Sequence, residues 1–307
     1  RRVLFRSRGF CAGVERAIKI VEQALKLYGK PVYVKHEIVH NKHVVKRLAN
    51  AGAIFVEDLN SVPKNANIIF SAHGVAKNVS ESAFNNKLTV FDATCPLVTK
   101  VHLEALKLHN NGYHIFLIGH DGHPEIEGTR GQVPEESITL IQTINEAENV
   151  KAPSNNLAWL SQTTLSVDDT KEIVSVLNRR FPSIHGPKKG DICYATTNRQ
   201  QAVKEIAPTV DIMLIVGSEN SSNSQRLVEV AQKAGCQKSF LISDVNYINW
   251  KEIDQVDNIG LSSGASAPEI LIEDIRNKFS ELYNTKEIQN HSIQENVYFK
   301  LPKILDK

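Results

Sequence analysis

One pattern recurs along the 307 residues: a loop that carries a cysteine is followed by apolar residues at helical spacing. The three stretches are RVLFRSRGFCAGVERAIKIVEQAL with Cys11, LTVFDATCPLVTKVHLEALKLH with Cys95, and GDICYATTNRQQAVKEIA with Cys193. A strand that leads through a loop into a helix is the repeating unit of parallel α/β folds. The recurrence predicts several such units, each with a cysteine where a helix begins.

Further apolar runs end in polar loops, as in NANIIFSAHGV, GYHIFLIGHDGHPEIEG, NLAWLSQTTLS, DIMLIVGSENSSNS and NIGLSSGASAPE. Continuous apolar strands that alternate with helices are typical of parallel sheets buried on both faces. We therefore expect an α/β fold of three similar lobes about a shared centre. The predicted lobes are 13–95, 96–192, and 193–280 with 1–12, because strand counting assigns the first strand to the third lobe.

Composition narrows the range of functions. The formal net charge is only +2, and the Lys and Arg residues form no extended block, so we expect no nucleic-acid partner. No apolar stretch approaches the roughly 20 residues of a membrane helix, so we expect no membrane partner. Four dispersed cysteines are too few for a disulfide framework, which leaves buried, metal-binding or nucleophilic thiols.

The three recurring cysteines favour a metal centre over isolated buried thiols. A helix N-terminus stabilises a thiolate, and thiolates bind soft metals. A structural zinc site or a redox thiol pair would normally show C-x-x-C, which is absent here. Three separate thiolates suit an iron–sulfur cubane in which one iron lacks a protein ligand. Cys236 follows no such pattern, and we interpret it as structural.

A second set of residues indicates an anionic ligand. His40, His73 and His123 all fall in loops at predicted strand ends, and histidine near neutrality binds phosphate oxygens and supplies protons. The stretches GSENSSNSQRL and SSGASAPE offer hydroxyl and amide groups before helices, as anion-binding loops do. Each feature alone is more often a cap, a turn or a surface histidine. Together they favour a phosphate-bearing ligand.

Glu125 is the best candidate for a proton carrier. A carboxyl group that is kept from bulk water has a raised pKa and can donate a proton at neutral pH. Thr163, in SQTTLS, could relay that proton through its hydroxyl group.

Nine motifs in one order from about residue 3 to 300 resemble the IspH/LytB family, the 4-hydroxy-3-methylbut-2-enyl diphosphate reductases. They are RGFCAGVERAI, HEIVHN, SAHGV, VFDATCPLVTKVH, GHPEIEGT, SQTTLSVDDT, DICYATTNRQ, GSENSSNS and GASAPE. The resemblance implies a pseudo-threefold trefoil around a 4Fe–4S cluster, which would appear as 3Fe–4S once the unligated iron is lost. It also implies that the tail 281–307 covers the site.

The resemblance further implies reductive dehydroxylation of an allylic diphosphate to isopentenyl and dimethylallyl diphosphates, the last step of the non-mevalonate isoprenoid pathway. The open iron would bind the substrate hydroxyl, Glu125 would donate the proton, and ferredoxin or flavodoxin would supply electrons. The implied cluster ligands are Cys11, Cys95 and Cys193. The implied catalytic residues are Glu125, Thr163 and His123. The implied substrate-binding residues are His40, His73, His123, Thr163, Ser221, Ser222, Asn223 and Ser266.

Two alternatives stay open at this point. A cluster-dependent dehydratase would use the same three thiolates without an external reductant, and an iron–sulfur sensor would bind a cluster without turnover. Abundant Asn and Lys together with a start that lacks methionine favour a plastid-type organelle, for example an apicoplast, over a bacterial cytoplasm.

Overall fold

The computed structural model describes residues 2–6, 9–289 and 295–305. Its strands are β1 (Arg2–Arg6), β2 (Val32–Lys35), β3 (Ala53–Val56), β4 (Asn67–Phe70), β5 (Thr89–Asp92), β6 (His114–Ile118), β7 (Ile138–Ile141), β8 (Leu157–Ser161), β9 (Ile212–Val216), β10 (Ser239–Ile242), β11 (Asn258–Ser263) and β12 (Thr285–Gln289).

Helices follow most of these strands, as the alternating pattern predicts. They are α1 (Ala12–Tyr28), α2 (Lys42–Ala51), α3 (Lys77–Asn85), α4 (Pro96–Asn110), α5 (Pro124–Arg130), α6 (Ile144–Asn149), α7 (Val167–Arg180), α8 (Tyr194–Ile206), α9 (Ser222–Lys233), α10 (Trp250–Ile253) and α11 (Glu269–Leu282). In the described part of the chain, no helix is both long enough and apolar enough to cross a membrane.

The strands form three sheets, and every strand pair described in them is parallel. The strand orders are β3-β2-β4-β5, β7-β6-β8 and β10-β9-β11-β1-β12. This architecture confirms the predicted α/β class with parallel sheets. The interior strands β6 and β9 are buried at every position, which explains why their sequences are almost entirely apolar.

The chain divides into two compact units. Unit 1 contains the described residues of 1–14, 40–44 and 194–298, including the five-stranded sheet. Unit 2 contains those of 15–39, 45–193 and 299–307, including the other two sheets. The predicted lobe boundaries stay a prediction. Strand β12 lies within the segment 281–307, where it pairs with β1, and residues 290–294 of that segment lie outside the described part.

Strands β6 and β9 each separate two apolar cores, because successive side chains point to opposite faces of a sheet. In unit 1, Ile212 and Leu214 of β9 pack in the core that contains α11, whereas Met213 and Ile215 pack with α8 and α9. In unit 2, β6 divides its side chains in the same way between one core with α4 and α5 and another with α7. Helices α4 and α5 therefore lie on the same face of the three-stranded sheet.

Candidate active site

Glu125 lies in the first turn of α5, and only 2% of its surface is exposed. Helix α5 begins at Pro124, and His123 is its N-cap. Nδ1 of His123 accepts a hydrogen bond from the Glu125 N–H at 3.1 Å. Thr163 lies just beyond the end of β8, which pairs in parallel with β6. Because the carboxyl ends of adjacent parallel strands lie at one edge of the sheet, the topology brings Thr163 to Glu125.

Two hydrogen bonds join this pair. The Thr163 N–H donates to Oε1 of Glu125 at 2.6 Å, and the Thr163 hydroxyl lies 3.0 Å from Oε2. Burial raises the pKa of Glu125 to about 7 although both bonds from Thr163 lower it, and the negative charge of Asp191 adds to the rise. When the carboxyl group is protonated on Oε2, the Thr163 hydroxyl is close enough to accept a hydrogen bond from it. The pair can hold one transferable proton near neutral pH.

Unit 2 also brings three histidine rings together. The rings of His73 and His123 are 6.0 Å apart and edge-on, and the ring of His36 also lies 6.0 Å from that of His73. Nδ1 of His73 lies 3.3 Å from the Ser71 hydroxyl. Two of the predicted phosphate ligands are thus neighbours. His36, which the sequence analysis did not assign, directly follows β2, so its position at a strand end was the available signal.

In unit 1 the predicted ligand-binding side chains form a second buried polar group. Ser221 is the N-cap of α9, and its hydroxyl accepts a hydrogen bond from the Ser224 N–H at 3.3 Å. The Ser266 hydroxyl donates to the carbonyl oxygen of His40 at 3.0 Å, and Nδ1 of His40 lies 3.4 Å from Nδ2 of Asn220. The predicted members, all less than a tenth exposed, are His40, Ser221, Ser222, Asn223 and Ser266. Asn220 is an addition that the sequence analysis did not single out.

Asn223 fixes the loop that follows β11. Its Oδ1 accepts a hydrogen bond from the Ala265 N–H at 3.0 Å, and its Nδ2 donates to the Thr196 hydroxyl at 3.1 Å. Both side-chain groups are thereby oriented by protein atoms. Helix α9, with three buried polar residues in its first turn, presents N–H groups that favour an anion.

Ser224 is packed between two glycines at the ends of β9 and β11, and this packing gives a stability prediction. A Cβ atom on Gly217 would overlap both Oγ and Cβ of Ser224, and a Cβ atom on Gly264 would overlap the Oγ. Because Ser224 is fully buried, it has no space into which to move. We expect Gly217→Ala to lower the free energy of unfolding by about 1–3 kcal/mol, measured by urea unfolding. Gln225→Ala, on the exposed surface of α9, is the control, and equal midpoints for both variants would contradict this packing argument.

The three recurring cysteines all lie at helix N-termini. Cys11 and Cys193 directly precede α1 and α8, and Cys95 is the N-cap of α4 and forms no side-chain cap bond. All three are half-buried, whereas Cys236 is buried, and none of the four forms a disulfide. Burial raises the pKa of Cys236, whose thiol points to the carbonyl oxygen of Lys238. Three of the thiols are therefore partly accessible, whereas the thiol of Cys236 lies in an apolar core.

Each of the three cysteines is held by the same kind of backbone bond. The N–H of Cys95 donates to the carbonyl oxygen of Ala72 at 2.9 Å, and the N–H of Cys193 donates to that of Thr163 at 3.0 Å, both within unit 2. In unit 1 the N–H of Cys11 donates to the carbonyl oxygen of Ala265 at 3.2 Å. Each acceptor is a predicted substrate-binding residue or the neighbour of one. Every cysteine is thus fixed to a loop that carries a candidate ligand-binding side chain.

Comparison with known proteins agrees with these features. A family model described as LytB protein matches residues 3–280. The chain belongs to the LytB family. A relative from Beijerinckia indica, named 4-hydroxy-3-methylbut-2-enyl diphosphate reductase, is 54% identical and the match covers 97% of this chain and 94% of that protein. A relative from Rhodopseudomonas palustris, named 4-hydroxy-3-methylbut-2-enyl diphosphate reductase 2, is 52% identical, and the match covers 99% of this chain and 95% of that protein.

Solved structures of the LytB family show the same fold. The E-1-hydroxy-2-methyl-but-2-enyl-4-diphosphate reductase from Plasmodium falciparum has a TM-score of 0.95 and 39% identity, with 99% of this chain and 96% of that chain covered. A second structure, titled as the terminal enzyme of the non-mevalonate pathway, has a TM-score of 0.66 and 30% identity, with 92% and 100% covered. The predicted family and the prediction of a reductase are confirmed.

Proposed function

We propose that the chain reduces (E)-4-hydroxy-3-methylbut-2-enyl diphosphate to isopentenyl and dimethylallyl diphosphates, the last step of the non-mevalonate pathway. The reaction takes two electrons and two protons, breaks the allylic C–O bond, forms one C–H bond and releases water. The observation that carries the proposal is the buried Glu125–Thr163 pair with a carboxyl pKa of about 7. The reductase names of the relatives supply the substrate class.

The cysteines fit the proposed 4Fe–4S cofactor. Cys11, Cys95 and Cys193 would hold it, because each is half-buried and lies where a helix begins. Cys236 does not suit this role, since it is buried and its pKa is raised. When bound, such a cluster with one unligated iron supplies low-potential electrons and a Lewis-acidic position. Ferredoxin or flavodoxin is the proposed electron donor.

Glu125 supplies the proton in this proposal. Protonation of the leaving hydroxyl group assists C–O cleavage, because water leaves more readily than hydroxide. The Thr163 hydroxyl lies 3.0 Å from Oε2 of Glu125, so Thr163 can either orient the acid or pass the proton on. His123 caps the same helix through the Glu125 N–H and is the proposed second proton relay.

The remaining polar residues would bind the diphosphate. His40, Asn223 and the serines of unit 1 present N–H and O–H groups, and the N-terminus of α9 adds the favourable end of its helix dipole. His73 and His123 of unit 2 are the proposed imidazole ligands. Binding energy from the diphosphate would orient the allylic carbon for reduction.

An anaerobic assay tests the proposal against its alternatives. The chain is reconstituted with iron and sulfide, given the allylic diphosphate with or without reduced methyl viologen, and the products are separated by gas chromatography after phosphatase treatment. We expect both isopentenyl and dimethylallyl products only with the reductant. Turnover without reductant would favour the dehydratase, and a stable cluster without turnover in either condition would favour the sensor.

The diphosphate assignment makes a separate prediction. We expect His40→Ala and Asn223→Ala to raise KM roughly tenfold to a hundredfold, because each removes a hydrogen bond to a charged group. Steady-state kinetics with the reductant in excess is the measurement. His43→Ala, an exposed histidine of α2, is the control. If KM stays at the wild-type value in both variants, the assignment of the buried polar group of unit 1 to the diphosphate is wrong.

A further inference from the structure

Lys100 connects two cysteine-bearing segments of unit 2. It lies in the second turn of α4, the helix that Cys95 begins. Its ammonium group donates to the carbonyl oxygen of Gly190 at 3.0 Å and to Oδ1 of Asp191 at 3.4 Å. Both acceptors lie in the loop that ends at Cys193. The helix after one cysteine thus holds the loop before another.

Asp191 extends this connection to the sheet. Its Oδ2 accepts a hydrogen bond from the N–H of Ser161, the last residue of β8, at 3.0 Å. Two residues farther along, Cys193 donates its N–H to the carbonyl oxygen of Thr163. Two bonds therefore fasten segment 191–193 to segment 161–163, and the Asp191 carboxylate bonds at once to the strand end and to α4.

Burial makes this ion pair sensitive to the loss of one partner. The Asp191 side chain is completely inaccessible, whereas that of Lys100 is 44% exposed. Glu104, on the same helix as Lys100, adds a like charge that opposes the Asp191 carboxylate. Removal of Lys100 leaves the inaccessible Asp191 carboxylate without its counter-charge, which is costly for a buried group. In Asp191→Asn the new amide nitrogen faces one of the two donors, Lys100 or the Ser161 N–H, from which the carboxylate accepted. Asp191 lies in the loop that carries Cys193, two residues before this cysteine.

We infer that Lys100 and Asp191 are a positioning pair that holds Cys193 in fixed register with Cys95. The inference rests on the proposed function, because it assigns the pair to the environment of the iron–sulfur cluster. Neither residue touches the substrate in this scheme. The pair acts through Cys193, by fixing the loop from which the thiolate is presented.

The test compares Lys100→Met, Asp191→Asn and the double variant. Lys100→Arg preserves the charge, and Lys107→Met changes an exposed lysine of the same helix. After anaerobic reconstitution, cluster loss to a ferrous-iron chelator and the EPR spectrum of the reduced cluster are measured. We expect Lys100→Met and Asp191→Asn each to lose the cluster at least about tenfold faster than the wild type, as for other residues that orient metal ligands.

The EPR spectrum should also change in each of these two variants, whereas Lys100→Arg should behave like the wild type. The double variant should be impaired less than the sum of the single effects, since no lone charge is left.

Alkylation of the apoprotein separates this inference from the proposed function. The rates of iodoacetamide modification at Cys193 and Cys11 are compared by peptide mass spectrometry. We expect Lys100→Met and Asp191→Asn to change the rate at Cys193 several-fold and leave that at Cys11 unchanged. If the chain takes up no cluster but the alkylation rate changes at Cys193 alone, the proposed cofactor is wrong and the positioning role of Lys100 and Asp191 is retained. The inference is wrong if Lys100→Met and Asp191→Asn show the same alkylation rates, cluster-loss rates and EPR spectra as Lys107→Met. It is also wrong if their only change is a lower unfolding temperature.

Discussion

Glu125→Gln is expected to retain the cofactor and to bind substrate, but to lower kcat by about 10²- to 10⁴-fold, the usual contribution of a general acid. Glutamine has nearly the same shape and can keep both contacts with Thr163, since its oxygen accepts the N–H and its amide donates to the hydroxyl. Only the transferable proton is lost. Single-turnover kinetics with a prereduced enzyme measures the step directly.

The pH dependence of the wild-type enzyme follows from the same group. A donor must be protonated, and the pKa of Glu125 is about 7, so kcat should fall as pH rises through that value. The descending limb should be absent from the residual activity of Glu125→Gln. Glu127→Gln, an exposed carboxyl group of the same helix, should show the wild-type profile. Wild-type rates in Glu125→Gln would remove this residue from the mechanism.

The contribution of Glu125 to the free energy of unfolding should fall as pH rises. A carboxyl group in a salt bridge, whose pKa is lowered by folding, would show the reverse. The folded apoprotein keeps the Glu125 proton up to about pH 7, whereas the unfolded chain loses it near 4.5. Between these values the folded state binds more protons, so its free energy of unfolding falls as pH rises, by on the order of 3 kcal/mol at most. Glu125→Gln should lack this decline, and urea unfolding of the two apoproteins across that range measures the difference.

Replacing Cys11, Cys95 or Cys193 with serine is expected to lower the iron and sulfide content below about a tenth of the wild-type level, because a neutral hydroxyl is a poor ligand for a soft metal. The reason lies in the proposed ligand set. Three thiolates leave one iron without a protein ligand, and two hold the cluster too weakly to survive desalting. Iron and sulfide analysis after anaerobic reconstitution is the measurement.

Cys236→Ser is the matched control for these variants. Its thiol is buried against the carbonyl oxygen of Lys238, a contact that a serine hydroxyl can preserve. We expect wild-type cluster content in this variant and reduced content in the other three. Loss of the cluster from Cys236→Ser, or retention in any of the others, would contradict the proposed ligands.

Much of the fold could be predicted from the sequence because its signals are local. The apolar run before Cys95, the turn and Pro96 predict a strand that leads into a helix, and α4 begins at Pro96. Likewise, the continuous apolar runs of β6 and β9 predict strands buried on both faces. The position of β12 beside β1 was not predicted, because pairing between distant strands leaves little trace in either segment.

For the candidate site, too, local features could be predicted from the sequence and contacts between distant residues could not. The sequence by itself determined which side chains are chemically suited to the proposed roles and that they lie in loops after strands, since the type of a side chain and the periodicity around it are local properties of the sequence. Only the tertiary structure decided that Glu125 is buried against Thr163, that Asn223 holds Ala265, and that Lys100 reaches Asp191. These contacts join residues far apart in the chain, and both the pKa of a carboxyl group and the cost of burying a charge depend on such neighbours.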